Sequence, residues 1–448
     1  MASAAEQLAA NINFSSFAKA EELKKRLWFT LGALVIYRIG TYIPLPGIDP
    51  VAYAQAFQNL QAGIGGMVNI FTGGAVERMA IFALNIMPYI SASIIIQLMT
   101  AVSPHLEQLK KEGEQGRKKI NQYTRYGTVL LATVQGFGIA IGLEASNVAV
   151  DPGPFFRLTT VVTLVGGTVF LMWLGEQVTA RGVGNGISLI IFAGIVAEMP
   201  RALFTTLQQG ATGQLSTGII ILVLIMIVLV ITTVVFVERA QRRIPIQYPK
   251  RQVGNRMFGG DSSHLPLKIN TAGVIPPIFA SSLLLLPATA AGLIVTGGDS
   301  GNEWLQTIVL YLGRGQPLYL ALYAFLIIFF CFFYTAIVFN PEDTADNLKK
   351  YGGFVPGIRP GARTAEFLDR TLTRLTVVGS IYLTAVCLLP ELLTSQGGGG
   401  GYLVFFGGTS LLIVVTVTMD TVAQIQSHLL AHQYEGLIKK SKLRGARR

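Results

Sequence analysis

The sequence predicts an all-α polytopic membrane protein whose ten membrane-spanning helices form two inverted, pseudo-symmetric halves of five. Three observations support this prediction. The chain of 448 residues is 51% hydrophobic and only 13% charged, whereas a soluble domain carries roughly 25% charged residues. It contains ten apolar stretches near the length of about 20 residues that a helix needs to cross a bilayer. Its basic residues are concentrated in alternate gaps between those stretches, as the positive-inside rule requires.

The apolar stretches and the charge between them predict the topology. The ten predicted spans are residues 26–43, 76–101, 124–143, 158–176, 186–204, 217–237, 271–292, 317–339, 374–393 and 402–420. Thirty of the 35 Lys and Arg residues lie in alternate gaps, which places both termini in the cytoplasm. The other five are Arg38, Arg78, Arg157, Arg201 and Arg314. Residues 1–25 are then a cytoplasmic segment without the apolar core of a cleavable signal peptide, and residues 421–448 are a basic cytoplasmic tail.

Two short segments indicate an internal repeat. Residues 86–93 and 274–281 share Pro, Ile, Ala and Ser in register, and each opens a long apolar run. A proline within such a run interrupts or bends a helix, and matched interruptions in two halves point to a central pathway. Matches this short also arise by chance. Because five spans per half is an odd number, the second half (205–420) enters the membrane with the opposite polarity to the first (26–204).

A further apolar segment precedes the second span. Residues 69–75 are too short to cross a bilayer and too apolar for a free loop. A short re-entrant helix hinged at Gly73 and Gly74 fits this pattern, because irregular backbone at membrane depth is tolerated only inside protein or a cavity. A segment lying on the membrane surface is the alternative.

The predicted spans carry no Asp, Glu, Lys, Arg or His near their middle. Ion-coupled carriers and proton relays need ionisable groups at depth, so this pattern argues against a proton- or sodium-driven carrier. The sequence predicts no catalytic residues, no metal ligands and no cofactor. Cys331 and Cys387 lie within spans and are expected to pack as small hydrophobic residues.

An uncharged, β-branched pathway remains at the centre of the membrane. The candidate lining residues are Ile86, Ile90, Ile187, Ile191, Ile278 and Ile413. Ordinary packing accounts for any single isoleucine in a chain this apolar. A hydrophobic constriction can nonetheless hold back water and ions by dewetting.

Two long loops, roughly 238–270 and 340–373, lie on the predicted cytoplasmic side. They carry the basic residues Arg242, Arg243, Arg256 and Arg359. Topology alone accounts for some of this charge, but not for the length of the loops. Long basic loops of this kind favour docking of an acidic protein or of RNA phosphates.

The chain resembles the SecY family of protein-conducting channels in a series of motifs. These motifs run in order along nearly the whole chain, at residues 81–98, 122–127, 173–177, 181–188, 264–268, 339–341, 357–361 and 407–410. The resemblance implies an hourglass pore between two halves, in the bacterial inner membrane. It also implies a channel that translocates unfolded secretory polypeptides and releases transmembrane segments laterally into the bilayer. A small-molecule carrier built on the same repeat, or a membrane scaffold with no conducted substrate, would be the alternatives.

The resemblance also implies roles for particular residues and partners. The six isoleucines would form a pore ring, and spans two and seven would form a lateral gate for signal sequences. Residues of about 65–75 would form a plug helix that includes Asn69, Ile70, Phe71, Thr72, Gly73 and Gly74. Polar gate residues would be Ser91, Gln97, Gln135 and Asn270. The four loop arginines would dock the SecA motor ATPase or the ribosome, and SecE and SecG would be small membrane subunits.

One residue departs from the family pattern. Asn85 lies beside the predicted ring, where the family favours glycine. A polar side chain at this position would either loosen the seal or bond across the gate, and the sequence leaves both possibilities open.

Overall fold

The computed structural model describes most of the chain. The described residues are 20–61, 69–213, 217–248, 251–253, 256–258, 262–284, 316–395 and 408–445. Parts of several predicted segments therefore lie outside the described residues. These parts are residues 1–19 of the N-terminal segment, 65–68 of the plug, 249–250, 254–255 and 259–261 of the first long loop, 285–292 of the seventh span, 402–407 of the tenth and 446–448 of the tail.

The first half is built from helices. They are α1 (Glu21–Gly40), α2 (Pro50–Gln61), α3 (Met87–Val102), α4 (Pro104–Lys111), α5 (Glu114–Ala145), α6 (Pro154–Arg181) and α7 (Gly186–Ala211). The helix α2 lies between the first two predicted spans and packs Tyr53 and Phe57 against the residues that precede α3. The Tyr53 hydroxyl donates to the carbonyl of Val76, and burial raises the pKa of Tyr53. The hydroxyl therefore remains a donor at neutral pH.

The second half combines helices with short strands. Its elements are α8 (Thr217–Arg239), β1 (Gln241–Gln247), β2 (Arg251–Val253), β3 (Arg256–Phe258), β4 (Ser262–Lys268), α9 (Ile275–Leu284), α10 (Pro317–Val338), α11 (Pro341–Lys350), α12 (Ala362–Ser395) and α13 (Thr409–Gly445).

The helices confirm a multi-pass membrane fold. Seven of them in the described part of the chain, α5 to α8, α10, α12 and α13, are long and apolar enough to cross a membrane. Counting α3 with α4, which meet at a bend of 98°, gives eight. The helix α9 is a shorter apolar helix, and α1 carries Lys24, Lys25 and Arg26 in its first turns, which shortens its apolar stretch. Together these helices occupy the ten predicted positions.

The second span begins later than the sequence predicted. Residues 76–86 form turns and α3 starts at Met87, so Pro88 lies in the first turn of the helix and does not interrupt it. Pro276 occupies the same place in α9. A proline in the first turn sacrifices no helical hydrogen bond and has the φ angle that a helix needs. The repeated proline therefore marks where two equivalent helices begin.

The first long loop also differs from the all-α prediction, because it contains a β-hairpin. Strands β1 and β4 pair antiparallel from Gln241 opposite Lys268 to Gln247 opposite Ser262. Ile244 and Ile246 alternate with exposed residues along β1, which is the period of a half-buried strand. Below the hairpin lies a small core formed by Ile244, Leu267, Val355, Leu368 and Leu372. The alternation of Ile244 and Ile246 with less hydrophobic residues is the sequence signal for this strand.

The packing of the helices agrees with a repeated architecture. In the first half α5 packs along α6, and in the second half the corresponding pair, α10 and α12, packs in the same way. The helix α7 contacts α6 in its own half and both α8 and α13 in the other. One hydrophobic core extends across this junction and includes residues of both halves.

Candidate functional site

The two halves meet at a narrow apolar constriction, which we call the waist. Its lining residues are Phe71, Asn85, Ile86, Met87, Ile90, Ile191, Ile278 and Ser281. They enclose a cavity of about 10 Å³, which is the least volume that can hold one water molecule. None of these residues is ionisable. A cavity of this volume has no room for a hydrated ion.

Four of the six predicted ring isoleucines line the waist. Ile86 and Ile90 come from the start of α3, Ile191 from α7 and Ile278 from α9. Ile413 is buried in the same core. Ile187 is half-buried and lies one turn before Ile191, where its side chain faces Gly175 of α6.

The predicted plug segment lies directly against the waist. Residues 69–72 form one helical turn, followed by Gly73 and Gly74 with φ angles of 65° and 80°. Glycine adopts this left-handed conformation without steric cost. Ile70, Phe71 and Thr72 are buried, as a re-entrant segment inside protein requires and a segment on the membrane surface does not. We refer to residues 69–74 as the plug segment.

Three side chains hold the plug segment by its backbone carbonyls. The Tyr37 hydroxyl donates to the carbonyl of Thr72 at 3.1 Å. The Arg38 guanidinium donates to the carbonyl of Gly73. The Asn85 amide donates to the carbonyl of Phe71 at 2.8 Å. Two of these residues belong to α1 and one to the turn before α3, so the segment is held from two sides.

Charged residues surround the two glycines at the outer end of the plug segment. Glu198 of α7 lies 3.6 Å from Arg38, 3.9 Å from Arg78 and 3.9 Å from Arg201, and its side chain is only 7% exposed. Arg201 also forms a bidentate pair with Glu77, with N–O distances of 2.8 and 2.9 Å. We call these three arginines and two glutamates the ionic cluster.

The ionic cluster corrects the expectation that no span carries charge at depth. Glu198 lies in the middle of α7 and is buried. A buried carboxylate is stable there because basic groups surround it. A signal was present in the sequence: Arg38, Arg78 and Arg201 are three of the five basic residues that break the positive-inside alternation. A fourth, Arg157, pairs with Glu144 at 2.7 Å.

The predicted gate residues lie on several elements. The helices α3 and α9 meet at the waist through Ile90 and Ile278. Ser91 is buried on α3, and Gln97 of the same helix donates to Ser93 at 3.2 Å. Gln135 is half-buried on α5, which packs on α3.

The remaining gate residue connects the start of α9 to a neighbouring helix. The buried Asn270 amide donates to Glu238 at the end of α8, at 2.6 Å, and to the carbonyl of Gly273, at 3.1 Å. Asn270 therefore ties the chain that leads into α9 to α8.

The predicted docking residues lie on the two long loops. Arg242 and Arg243 are exposed on β1, Arg256 belongs to β3, and Arg359 is exposed in the turn before α12. The loops are joined, because Gln247 and Phe354 exchange backbone hydrogen bonds of 2.9 and 3.0 Å. The two loops therefore present one connected surface.

Two helical halves that meet at an apolar waist, with the buried residues 69–74 packed against it, have the architecture of a membrane channel. Comparison with known proteins identifies the family. The SecY family model matches residues 80–422. The protein translocase subunit SecY of Escherichia coli K12 is 56% identical, over 95% of this chain and 96% of its own length. The chain belongs to the SecY family.

Solved structures agree on the fold. A structure described as that of a protein-conducting channel matches with a TM-score of 0.64 at 20% identity, over 92% of this chain and 93% of its own. Sec61 in the canine ribosome-channel complex matches with a TM-score of 0.64 at 20% identity, over 91% and 92%. At this level of identity the likeness extends to the fold alone.

Proposed function

We propose that this chain is a protein-conducting channel. It translocates unfolded secretory polypeptides across the membrane and releases transmembrane segments laterally into the lipid bilayer. The observation that carries the proposal is the narrow waist, whose apolar lining leaves a cavity of about 10 Å³ beside residues 69–74. Its membership of a family whose relatives are named protein translocase subunits supports the same function.

The geometry of the waist suits a substrate of variable sequence. Apolar contacts are non-directional, so isoleucine side chains can close around any polypeptide that replaces the plug segment. Such a ring holds back water and ions without a dedicated charge. The helices α3 and α9 meet at this level, and their separation would open a lateral path for an apolar signal sequence.

The energy for transport comes from partners in this proposal. The chain acts as a passive channel and not as an enzyme, and it uses no metal or cofactor. The exposed Arg242, Arg243 and Arg359, together with Arg256, form a basic docking surface for the SecA motor ATPase or for ribosomal RNA phosphates. The similarity to Sec61, whose structure is of a ribosome-channel complex, supports the ribosome as a partner. SecE and SecG are the expected small membrane subunits.

We place the protein in the bacterial inner membrane with both termini in the cytoplasm. The distribution of 35 Lys and Arg residues supports this orientation. In this orientation the β1–β4 hairpin faces the cytoplasm, and the ionic cluster lies towards the opposite surface.

Crosslinking of an arrested substrate tests the proposed path. A secretory polypeptide with a photo-reactive residue at mid-membrane is expected to label residues 86–90 and 275–278, because these segments line the waist. Leu224 and Ile225, which are exposed on the outer face of α8, serve as the control positions. Labelling of the outer face without labelling of the waist would contradict the proposal.

Charge reversal tests the docking surface separately. We expect Arg359→Glu to impair motor-driven export and to leave membrane insertion and folding intact, since the side chain is exposed. The matched control is Arg157→Glu, because Arg157 pairs with Glu144 away from the long loops. Normal export by the Arg359 variant would remove this residue from the docking surface.

A small-molecule carrier is the second candidate, and the buried Glu198 is the observation that favours it. Carriers use ionisable groups at depth. In this structure, however, Glu198 lies within 4 Å of Arg38, Arg78 and Arg201, so its partners are side chains of this chain and it is not left free to bind a solute. Saturable uptake of a solute by the purified protein without a partner would support the carrier, and its absence would support the channel.

A further inference from the structure

Asn85 has an unusual backbone conformation at a buried site. Its φ angle is 48°, and only 2% of the residue is exposed. Asparagine is among the few residues other than glycine that tolerate this conformation. Glycine would satisfy the same backbone with no side chain to bury. The backbone alone therefore does not account for asparagine at this position.

The side chain of Asn85 connects the waist to the plug segment. Its amide nitrogen donates to the carbonyl of Phe71 at 2.8 Å, and both residues line the waist cavity. The Tyr37 hydroxyl donates to the next carbonyl along the chain, that of Thr72, at 3.1 Å. The plug segment is thus held at two successive carbonyls, one of them directly by Asn85.

The other end of the same side chain is left without a hydrogen-bond partner among the described residues. The Asn85 Oδ1 atom is buried and has no hydrogen-bond partner within the described part of the chain. A buried acceptor without a partner is unfavourable, and water would satisfy it once the plug segment moved away. One bond therefore favours closure while one unsatisfied oxygen opposes it.

We propose that Asn85 is a positioning residue that latches the plug segment to the waist and sets how often the resting channel opens. The proposal rests on the proposed channel function, and it adds a residue to the gating of that site. A neutral buried hydrogen bond makes a modest net contribution, so the latch is expected to change the open population by a factor of about two to ten.

The test compares Asn85→Gly with Asn147→Gly in the full-length chain. Asn147 also has a left-handed backbone, with a φ angle of 53°, but it is exposed and lies after α5. Both substitutions keep the backbone conformation, and only the first removes a bond to the plug segment. Hydrogen–deuterium exchange of residues 69–74 and ion conductance of resting channels in phospholipid vesicles are measured for each variant.

We expect Asn85→Gly to raise both plug exchange and resting conductance two- to tenfold, while Asn147→Gly changes neither. Asn85→Asp is expected to raise them at least as much, because a carboxylate cannot donate to the Phe71 carbonyl. Unchanged exchange across α5 verifies that each variant folds. If Asn85→Gly fails this check, Asn85→Asp decides the question.

Two results would overturn the latch. One is that the Asn85 variants match Asn147→Gly in both measurements. The other is a rise in conductance without a rise in plug exchange, since ions would then pass a plug that stays in place. A separate assay of polypeptide translocation by the wild-type vesicles distinguishes failure of the proposed function, because plug exchange reports on the latch whatever the channel conducts.

Discussion

The waist and the ionic cluster are neighbours on the two ends of the plug segment, yet they use opposite chemistry. The waist closes with isoleucine side chains around a cavity of about 10 Å³. The ionic cluster places Arg38, Arg78 and Glu198 beside Gly73 and Gly74, and its other two members, Glu77 and Arg201, pair with each other. Apolar packing does not depend on direction, whereas charge pairs depend on geometry. In the proposed channel the waist would therefore provide an adaptable seal, and the ionic cluster would fix the position of the plug segment.

The largest effect is expected from a cavity in the waist. Ile90→Ala removes a buried side chain between α3 and α9 and should cost the closed state about 3 kcal/mol. Resting ion conductance should therefore rise more than tenfold. Ile94→Ala is the matched control, because Ile94 is equally buried one turn along α3 and does not line the waist. Equal resting ion conductance of the two variants would show that the waist contributes no more to closure than the rest of the core.

Removal of charge from the ionic cluster should have the next largest effect. Glu198→Gln leaves Arg38 and Arg78 facing a neutral side chain. Because these arginines are each 29% exposed, water offsets part of the loss, and we expect a cost of about 2 kcal/mol. The plug segment should exchange faster in hydrogen–deuterium measurements.

Glu144→Gln is the control for this charge change, since Glu144 pairs with Arg157 outside the ionic cluster. Both variants should lower the melting temperature of the protein, but only Glu198→Gln should change plug exchange. If the two variants behaved alike, the ionic cluster would contribute stability without positioning the plug segment.

A neutral but bulkier side chain at Gly194 tests the position of the plug segment without changing any charge. A Cβ atom on Gly194 would lie 2.7 Å from the Phe71 carbonyl oxygen and 3.0 Å from the Tyr37 hydroxyl. Gly194→Ala should therefore displace the plug segment at a cost of about 1 to 2 kcal/mol, measured as increased resting conductance. Gly166→Ala is the control, because no atom lies within 4 Å of a Cβ at that helical position. If the resting conductance of Gly194→Ala equalled that of the wild type, the waist would tolerate a displaced plug segment.

The smallest effect is expected at the exposed edge of the ionic cluster. Arg201 and Glu77 form a bidentate pair, but their side chains are 56% and 26% exposed. Arg201→Gln should therefore cost less than about 1 kcal/mol, and its effect on conductance should shrink further in 1 M salt, where exposed charges are screened. A large rise in conductance that does not change with salt would show that Arg201 stabilises the closed state as strongly as a buried charge does.

The sequence carries a local signal for the residues of the waist but only an indirect one for the ionic cluster, and the reason is physical. Spans and apolar linings leave a local pattern, because each helix must be apolar over its whole length. The pairing of Arg38 with Glu198 joins residues of α1 and α7, and no local pattern records such a pair. The basic residues that broke the positive-inside alternation were the available sign that a buried partner exists.

The sequence also misjudged two local features. Pro88 was expected to interrupt a helix but lies in its first turn, because the apolar turns before it resemble a span in composition. The hairpin of β1 and β4 is not predicted because only two residues of β1, Ile244 and Ile246, show the alternation of a strand, and they follow a pair of arginines that topology already explains. The sequence marks Asn85 as a departure and leaves open whether it loosens the seal or bonds across the gate, whereas in the structure its amide donates to the carbonyl of Phe71.

The junction of Gln247 with Phe354 has a mechanical consequence. These residues exchange two backbone hydrogen bonds between the hairpin and the second loop, and the core below them includes Leu368 and Leu372 of α12. A partner that binds either loop therefore contacts a single connected unit. A tilt of this unit would also move α12, which packs against it and, with 34 residues, is long enough to cross the membrane.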